Sequence, residues 1–196
     1  MLFLRPSSGK NFHWLMIAIG LVVSAVVSTT AIGYVKKSPS NTKNAANNAQ
    51  ITLNNVVIDK VFVDKSERIL QLLSEDKVIA SYHIALGDSP AGHKQQQGDE
   101  RTPVGTYTLD YKNEKSKFYR SIHISYPNAA DKAHAKKLGV SAGGDIMIHG
   151  QKSGFGHLAS VTQQRDWTDG CIAVTNDEMD QIMEAIEVDT PIEIVE

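Results

Sequence analysis

One cysteine and one histidine in the carboxyl-terminal quarter of the chain have residue types that suit acyl transfer. Cys171 is the only cysteine among 196 residues, and it ends a Thr-Asp-Gly-Cys turn. His149 comes earlier in the chain, directly after the apolar run 146–148. A free thiol is only a few per cent ionised near neutral pH, so a cysteine nucleophile needs a neighbouring base such as an imidazole. The two residues therefore predict a cysteine nucleophile with a histidine base, provided that folding brings them together.

The turn that carries Cys171 also predicts hydrogen-bond donors for a negatively charged oxygen. Gly170 permits the backbone angles that direct its own N–H group and that of Cys171 at one oxygen, and Asp169 supplies an alternative amide. A third group must orient the imidazole, and the carboxylates of Asp169 and Asp145 are both candidates. A metal site is not expected, because the histidines lack ligand spacing and the chain has no second thiol. No cofactor is expected either.

Each of these residues also has a purely structural interpretation. An isolated cysteine is most often a small buried side chain, and an isolated histidine after a strand is most often a hydrogen-bonded structural residue. Other histidines show that this residue type is not scarce in the chain: His83, His93, His123 and His157. The catalytic hypothesis therefore depends on Cys171 and His149 together.

Short apolar segments separated by turns predict a mainly β domain over residues 51–196. The strand candidates are residues 51–63, 69–86, 106–111, 121–126, 145–149 and 191–195. The polar residues 64–67 between the first two predict a hairpin turn, and the Gly- and Pro-containing stretch 87–105 predicts a loop. Many short strands with one or two short helices indicate a β-sandwich-like domain and not a parallel α/β sheet.

Two segments have the pattern of helices. Residues 128–138 have a helical composition and end before Gly139, a common C-cap residue. Residues 176–187 follow Thr175, which forms a capping-box pattern with Glu178. Four apolar residues then repeat at helical spacing along one face: Met179, Ile182, Met183 and Ile186. This second helix is expected to hold the cysteine turn from behind.

The amino-terminal part of the chain predicts a membrane segment and a tether. Residues 14–32 contain no charged side chain, and about 20 apolar residues cross a bilayer. A basic region at 1–13 precedes them, so residues 14–35 are expected to form an uncleaved transmembrane signal-anchor or a cleaved signal peptide. Residues 36–50 are polar and predict a flexible linker. The catalytic domain is then expected outside the cytoplasmic membrane, in the periplasm or on the extracytoplasmic face of a bacterial cell envelope.

The charge distribution argues against a nucleic-acid partner. Residues 1–50 carry five basic and no acidic residues, while the formal net charge of the whole chain is −2, so residues 51–196 carry −7. An acidic domain repels the phosphate groups of DNA and RNA. No nucleic-acid partner is therefore expected.

The order of these residues resembles the catalytic signature of the L,D-transpeptidase family of the YkuD type. That signature has a strand ending in His-Gly, then Ser/Thr-x-Gly-Cys and an apolar residue. Here it reads His149-Gly150 followed by residues 168–172. The segment 98–107, which contains Thr-Pro-Val-Gly-Thr-Tyr, and residues 143–146 are also similar to the family. The resemblance covers most of the domain.

The resemblance implies a mostly β catalytic domain that acts on peptidoglycan stem peptides through a Cys171 thioester. The implied reaction is L,D-transpeptidation in cell-wall crosslinking or remodelling, with the backbone carbonyl near Gly150 orienting the imidazole. Family members often carry an arginine two residues after the cysteine, whereas this chain has Ala173. Either Arg165 or Arg120 replaces that arginine, or this subgroup works without it. Three other residues are candidates for binding substrate: Thr168, Arg165 and Arg120.

Two alternatives stay open at this point. A hydrolytic relative would form the same thioester and transfer it to water, as an L,D-carboxypeptidase or as an amidase that releases a wall-bound protein. A membrane-tethered wall-binding module would carry an inert thiol. The acceptor of the acyl group distinguishes the first alternative from a transpeptidase, and labelling of Cys171 distinguishes the second.

Overall fold

The computed structural model of the protein describes residues 56–196. The predicted basic region 1–13, membrane segment 14–35 and linker 36–50 lie outside the described residues. Among the helices of residues 56–196, none is long and apolar enough to span a bilayer.

The described part of the chain contains eight strands, three α-helices and a single 3₁₀ turn at Gly156–Leu158. The strands are β1 (Lys60–Asp64), β2 (Ile69–Ser74), β3 (Lys77–His83), β4 (Gly105–Ser116), β5 (Tyr119–Ile124), β6 (Met147–His149), β7 (Ile172–Ala173) and β8 (Thr190–Val195). The helices are α1 (Ala129–Leu138), α2 (Ala159–Thr162) and α3 (Asn176–Ala185). The prediction of a mainly β domain is confirmed, with three short α-helices where one or two were predicted.

All eight strands belong to one sheet, in the order β3-β2-β1-β8-β4-β5-β6-β7. Neighbouring strands are antiparallel except for the parallel pairs β1–β8 and β6–β7. Ala85, just after edge strand β3, exchanges two backbone hydrogen bonds of 2.9 and 2.8 Å with Ala173 of the opposite edge strand β7. The sheet therefore curls until its two edges meet, so the sandwich-like arrangement comes from a single sheet.

The hydrophobic core lies on the face of the sheet that α3 covers. Ile122 of β5, Ile148 of β6 and Ile172 of β7 are level with one another in the strand register, so their side chains project from the same face. The apolar stripe of α3 is buried in the same cluster: Met179, Ile182 and Met183. Burying one such side chain contributes about 1.5–3 kcal/mol. This packing holds α3 against β5, the neighbour of the strand that ends in His149.

Helix α3 begins where the capping pattern predicts and ends before the predicted residue 187. At its start, the N–H of Glu178 donates to Thr175 Oγ1 at 3.3 Å, and the N–H of Thr175 donates to the Glu178 carboxylate at 2.9 Å. Ile186 leaves the helix in an extended conformation, with φ −93° and ψ 134°. Its fully buried side chain joins the core from there. Core packing therefore overrides the helical pattern at this end.

The predicted strand over residues 69–86 is wrong in one respect, because a tight turn divides it. β2 and β3 form an antiparallel hairpin around Glu75 and Asp76, whose φ angles are 51° and 61°. Two consecutive positive φ angles are typical of hairpin turns whose twist matches that of the flanking strands. Such turns favour Asn-Gly or Asp-Gly, so a Glu-Asp pair is a weak signal for a turn.

Candidate active site

Cys171 and His149 project from the same face of two neighbouring strands. β6 and β7 run parallel, with Ile148 level with Ile172 and His149 level with Ala173. Cys171 directly precedes β7, and side chains two residues apart along a strand project to the same face. Cys171 and Ala173 therefore share a face with His149, opposite to the face that carries the core isoleucines.

Backbone groups at the start of β6 contact the sulfur of Cys171. The N–H of Met147 lies 3.4 Å from Sγ, and the thiol donates to the carbonyl of Asp145 at 3.6 Å. Burial raises the pKa of the Cys171 thiol, and although the hydrogen bond from Met147 and the charge of Lys94 act against this, the carboxylates of Asp169 and Asp145 reinforce it. The resting thiol is therefore protonated, so a base must remove its proton before the sulfur can attack a carbonyl carbon.

The imidazole of His149 is in the protonation state that a base requires. The residue is 3% exposed, and its Nδ1 lies 2.6 Å from the carbonyl oxygen of Gly150. Because a carbonyl oxygen only accepts hydrogen bonds, Nδ1 carries the proton and Nε2 keeps its lone pair. Burial lowers the pKa of His149 to about 4, although the hydrogen bond to Gly150 acts in the opposite direction. The ring is thus neutral at pH 7.

Two aromatic side chains enclose this imidazole. The ring centroids of Phe118 and Trp167 lie 4.6 and 5.7 Å from the imidazole centroid. They shield the ring from water, and this burial is the main cause of the low pKa of His149. Within residues 56–196, Nε1 of Trp167 is a buried side-chain nitrogen without a hydrogen-bond partner. Sequence reasoning missed both aromatic residues, although Trp167 directly precedes the cysteine turn.

The low pKa of His149 predicts that acid destabilises the folded chain. Because the folded-state pKa is about 4 and the ordinary value is 6.5, the unfolded chain binds more protons between these pH values. The stability that neutral His149 provides is complete above pH 6.5 and is lost as the pH falls towards 4. The free energy of unfolding that is lost in this way amounts to about 3 kcal/mol.

Urea unfolding of the wild-type chain and of His149→Ala at several pH values between 4 and 7 measures this effect. The difference in unfolding free energy between the two proteins should shrink as the pH falls. The exposed His157 provides the matched control, since His157→Ala should follow the wild-type curve. A wild-type to His149→Ala difference that stays constant over this range would contradict the prediction.

The cysteine turn is anchored to the chain segment that follows β3. The carbonyl of Leu86 accepts hydrogen bonds from the N–H groups of Trp167 and Thr168, each at 3.1 Å. The N–H of Leu86 donates to the carboxylate of Asp166 at 2.8 Å, and Arg68 pairs with the same carboxylate at 2.7 Å. These contacts fix the turn at the edge where the curled sheet closes.

Thr168 organises the cysteine turn from inside. Its buried hydroxyl donates to the carbonyl of Cys171 at 2.7 Å and accepts the N–H of Gly170 at 3.1 Å. The structure therefore places Thr168 within the turn and not on the cleft wall, where a substrate-binding residue was expected. The N–H of Gly170 is engaged by this hydroxyl, which leaves those of Cys171 and Asp169 as the remaining amides of the turn.

Gly170 has a backbone conformation and a close contact that exclude a larger residue. Its φ is +122°, and a Cβ atom there would lie 2.6 Å from the carbonyl oxygen of Arg101. We expect Gly170→Ala to lower the unfolding free energy by about 2–4 kcal/mol, from backbone strain and overpacking together. Chemical denaturation measures this loss.

Gly154 provides a matched control for Gly170→Ala. Its φ is +86°, but a Cβ atom there would meet nothing within 4 Å. Gly154→Ala should therefore cost only the backbone strain, about 1–2 kcal/mol. Equal losses in the two variants would mean that the contact with Arg101 has no effect on stability.

A cleft of about 670 Å³ opens beside Cys171. Its walls come from the loop 94–100, the segment 141–146 and the cysteine turn. Asp145 and Asp169 line this cleft, and the group in contact with Nδ1 of His149 is the Gly150 carbonyl. The remaining charged residues of the wall are Lys94 and Glu100, which sequence reasoning did not single out.

The two arginines expected to compensate for Ala173 do not line this cleft. Arg120 forms ion pairs of 2.7 Å with Glu114 and 2.8 Å with Asp180 of α3. It lies two residues from Ile122 on β5, so it projects to the core face of the sheet. Arg165 is exposed and borders a separate depression.

The geometry agrees with a comparison against known protein families. The model of the L,D-transpeptidase catalytic domain, YkuD, matches residues 58–194. This match covers most of the chain and includes both Cys171 and His149. The protein belongs to the YkuD family of L,D-transpeptidase catalytic domains.

Individual proteins are similar to this chain in sequence or in structure. The chain is 29% identical to YafK of Escherichia coli (strain K12), a candidate L,D-transpeptidase, over 87% of this chain and 63% of YafK. The helical cell shape determining protein Pgp2 of Campylobacter jejuni, in a mutant form, superimposes with a TM-score of 0.55 and 25% identity over 72% of this chain and 48% of Pgp2. Bd1075 of Bdellovibrio bacteriovorus gives a TM-score of 0.50 and 25% identity over 71% of this chain and 48% of Bd1075. The chain thus spans less than two thirds of the length of each of these proteins.

Proposed function

We propose that this protein is a cysteine acyltransferase that acts on peptidoglycan stem peptides by L,D-transpeptidation, in cell-wall crosslinking or remodelling. The observation that carries the proposal is the placement of Cys171 and His149 on one face of neighbouring parallel strands, beside a cleft. Membership of the YkuD family supplies the substrate class.

The first half of the proposed reaction forms a thioester. Nε2 of His149 takes the proton from Sγ of Cys171, and the thiolate attacks the carbonyl carbon of the diamino acid at the third position of the stem. The tetrahedral intermediate then collapses, and the bond to the D-alanine nitrogen breaks. Protonated His149 delivers its proton to this leaving nitrogen. The acyl group is now bound to Cys171 as a thioester.

The second half of the reaction transfers the acyl group to an acceptor. His149 takes a proton from the amine of another stem peptide, and this nitrogen attacks the thioester carbon. The carbon–sulfur bond breaks, and the thiolate recovers its proton from the imidazole. Water in place of the amine would give a shortened stem, so the acceptor decides between a transpeptidase and the hydrolytic alternatives.

Backbone amides of the cysteine turn are the proposed donors to the oxyanion in both halves. Donors that face the developing charge lower the barrier because they are already oriented before the reaction. The N–H groups of Cys171 and Asp169 suit this role, since that of Gly170 donates to Thr168. Participation of Gly170 would require that hydrogen bond to break.

The hydrogen bond from His149 to the Gly150 carbonyl is the proposed orienting contact. It fixes the tautomer in which Nε2 is the base. A neutral carbonyl stabilises the imidazolium less than a carboxylate would. The imidazole therefore gives up its proton readily to the leaving amine.

The membrane segment proposed from the sequence would hold this reaction at the envelope. Residues 14–35 would anchor the chain in the cytoplasmic membrane, and the linker 36–50 would let the domain reach the wall on the outer side. The support for this localisation is the uncharged stretch 14–32 together with the substrate class of the family.

Mass spectrometry of muropeptides incubated with the purified full-length chain tests the proposed function. Crosslinked dimers with the carbonyl of the diamino acid as acyl donor are the expected products. Shortened stems alone would assign the hydrolytic alternative. Neither product, together with a Cys171 that thiol reagents and carbapenems leave unlabelled, would assign a wall-binding module and end the proposal.

A further inference from the structure

A buried lysine shares the cleft with the nucleophile. We propose that the ammonium group of Lys94 binds a carboxylate of the stem peptide, and that it thereby determines substrate specificity. This inference rests on the proposed function, because it names the part of the substrate that the cleft recognises. Two carboxylates flank the scissile bond: the terminal carboxylate of the leaving D-alanine and the side-chain carboxylate of a diaminopimelate at the third position.

The burial of Lys94 and its free hydrogen-bond donors suit a binding site for a ligand. The residue is only 3% exposed, although lysine is almost never fully buried unless it is paired. Its Nζ donates to Asp99 at 2.7 Å. An ammonium group can donate three hydrogen bonds, and within residues 56–196 Asp99 is its one hydrogen-bond partner. Since Lys94 lines the cleft, its remaining donors are available to a group that binds in the cleft.

A purely structural role does not account for the lysine. Asp99 also accepts the backbone N–H groups of Gln95, Gln96 and Arg101, at 2.7, 3.1 and 3.2 Å. Although burial would raise the pKa of Asp99, the hydrogen bond from Lys94 and those from the three amides lower it. Asp99 therefore closes the loop through backbone contacts that do not need the ammonium group.

The other charges of the cleft make Lys94 the place where a carboxylate can bind. The wall carries one positive group against three carboxylates, those of Glu100, Asp145 and Asp169. A carboxylate is repelled elsewhere on this wall and attracted at Lys94. A substrate ammonium group would be attracted by the three acids. The cleft therefore matches a group that carries both charges, such as the free end of a diaminopimelate side chain.

Steady-state kinetics of the full-length chain on three synthetic stem peptides tests the inference. The first has diaminopimelate at the third position and a free D-alanine carboxylate, the second is amidated at that terminal carboxylate, and the third has L-lysine in place of diaminopimelate. We expect Lys94→Met to lower kcat/KM on the first peptide by about 10- to 100-fold, mainly through KM, which is the range for a hydrogen bond to a charged group.

The second and third peptides each lack one carboxylate, so they show which of the two carboxylates Lys94 binds. On the peptide that lacks the recognised carboxylate, kcat/KM of the wild-type chain should fall by the same factor. Lys94→Met should cause no further fall in kcat/KM on that peptide. The exposed Lys137 gives the matched control, because Lys137→Met should leave all three rates unchanged. An equal loss in Lys94→Met on all three peptides would indicate a structural role and overturn the inference.

The wild-type chain alone also tests the inference, in case Lys94→Met does not fold. Equal wild-type rates on all three peptides would overturn it, because no carboxylate would then be recognised. Absence of wild-type turnover on every peptide would instead contradict the proposed function, and carboxylate recognition with it.

A second readout tests whether Lys94 faces the nucleophile. The positive charge of Lys94 lowers the pKa of Cys171, so Lys94→Gln should shift the pH dependence of alkylation by iodoacetamide to higher pH. Glutamine can keep a hydrogen bond to Asp99, which protects the loop. An unchanged alkylation profile would mean that the ammonium group does not act on the sulfur, and it would contradict the placement on which the inference rests.

Discussion

Cys171→Ala is expected to abolish turnover of stem peptides and to leave the fold intact. The proposed thioester needs the sulfur, and the described residues offer no second thiol to replace it. The folded state loses little, because the hydrogen bonds of Sγ are two weak ones, with the N–H of Met147 and the carbonyl of Asp145. The thermal unfolding temperature of the variant should therefore stay close to the wild-type value.

Muropeptide turnover, followed by mass spectrometry, measures this loss. Iodoacetamide should label the wild-type chain at one site and the variant at none, which provides an internal control for the identity of the nucleophile. If Cys171→Ala retained turnover, the nucleophile would be a hydroxyl or water, and the thioester mechanism would be wrong.

His149→Ala is expected to lower kcat/KM by about 10²- to 10⁴-fold, the usual contribution of a positioned general base. In the wild-type chain the reactive pair is neutral imidazole and protonated thiol. This pair exists between the pKa of His149, about 4, and the raised pKa of Cys171. Wild-type kcat/KM should therefore be flat across neutral pH.

The pH profile of His149→Ala should differ in shape as well as in height. Without the base, the thiolate must form by ionisation into solvent, so kcat/KM should rise with pH until it passes the pKa of Cys171. Added imidazole should restore part of the rate, because the variant leaves a cavity between Phe118 and Trp167. The exposed His157→Ala provides the control with wild-type behaviour. A flat profile at the wild-type height in His149→Ala would assign the role of base to another residue.

Local patterns in the sequence predict those parts of the fold that local contacts stabilise. The capping box of Thr175 and Glu178 determines where α3 begins, and both of its hydrogen bonds form within four residues of each other. The polar break at residues 64–67 likewise becomes the turn of the β1–β2 hairpin. The position of β8 between β1 and β4 depends on pairing with strands that are distant in the sequence. The residues near 190–195 therefore do not predict which strands β8 pairs with.

The same distinction applies to the candidate site. Cys171 and His149 have residue types that suggest chemistry, so the sequence identifies them without their surroundings. Lys94 lies in a Gly- and Pro-containing loop, where a lysine normally reaches solvent, and only the folded loop buries it. Arg120 looks like a free cation in the sequence. The strand register turns it to the core face, where it pairs with Asp180.

The closure between Ala85 and Ala173 has a consequence for how an extended ligand reaches the sulfur. Many peptide-binding domains capture a chain by letting it add as one more strand along an open sheet edge. At β7 the backbone groups of Ala173 are already taken by Ala85, at 2.9 and 2.8 Å. A peptide therefore cannot extend the sheet there, and it must approach across the face, with its side chains and charged ends carrying the recognition.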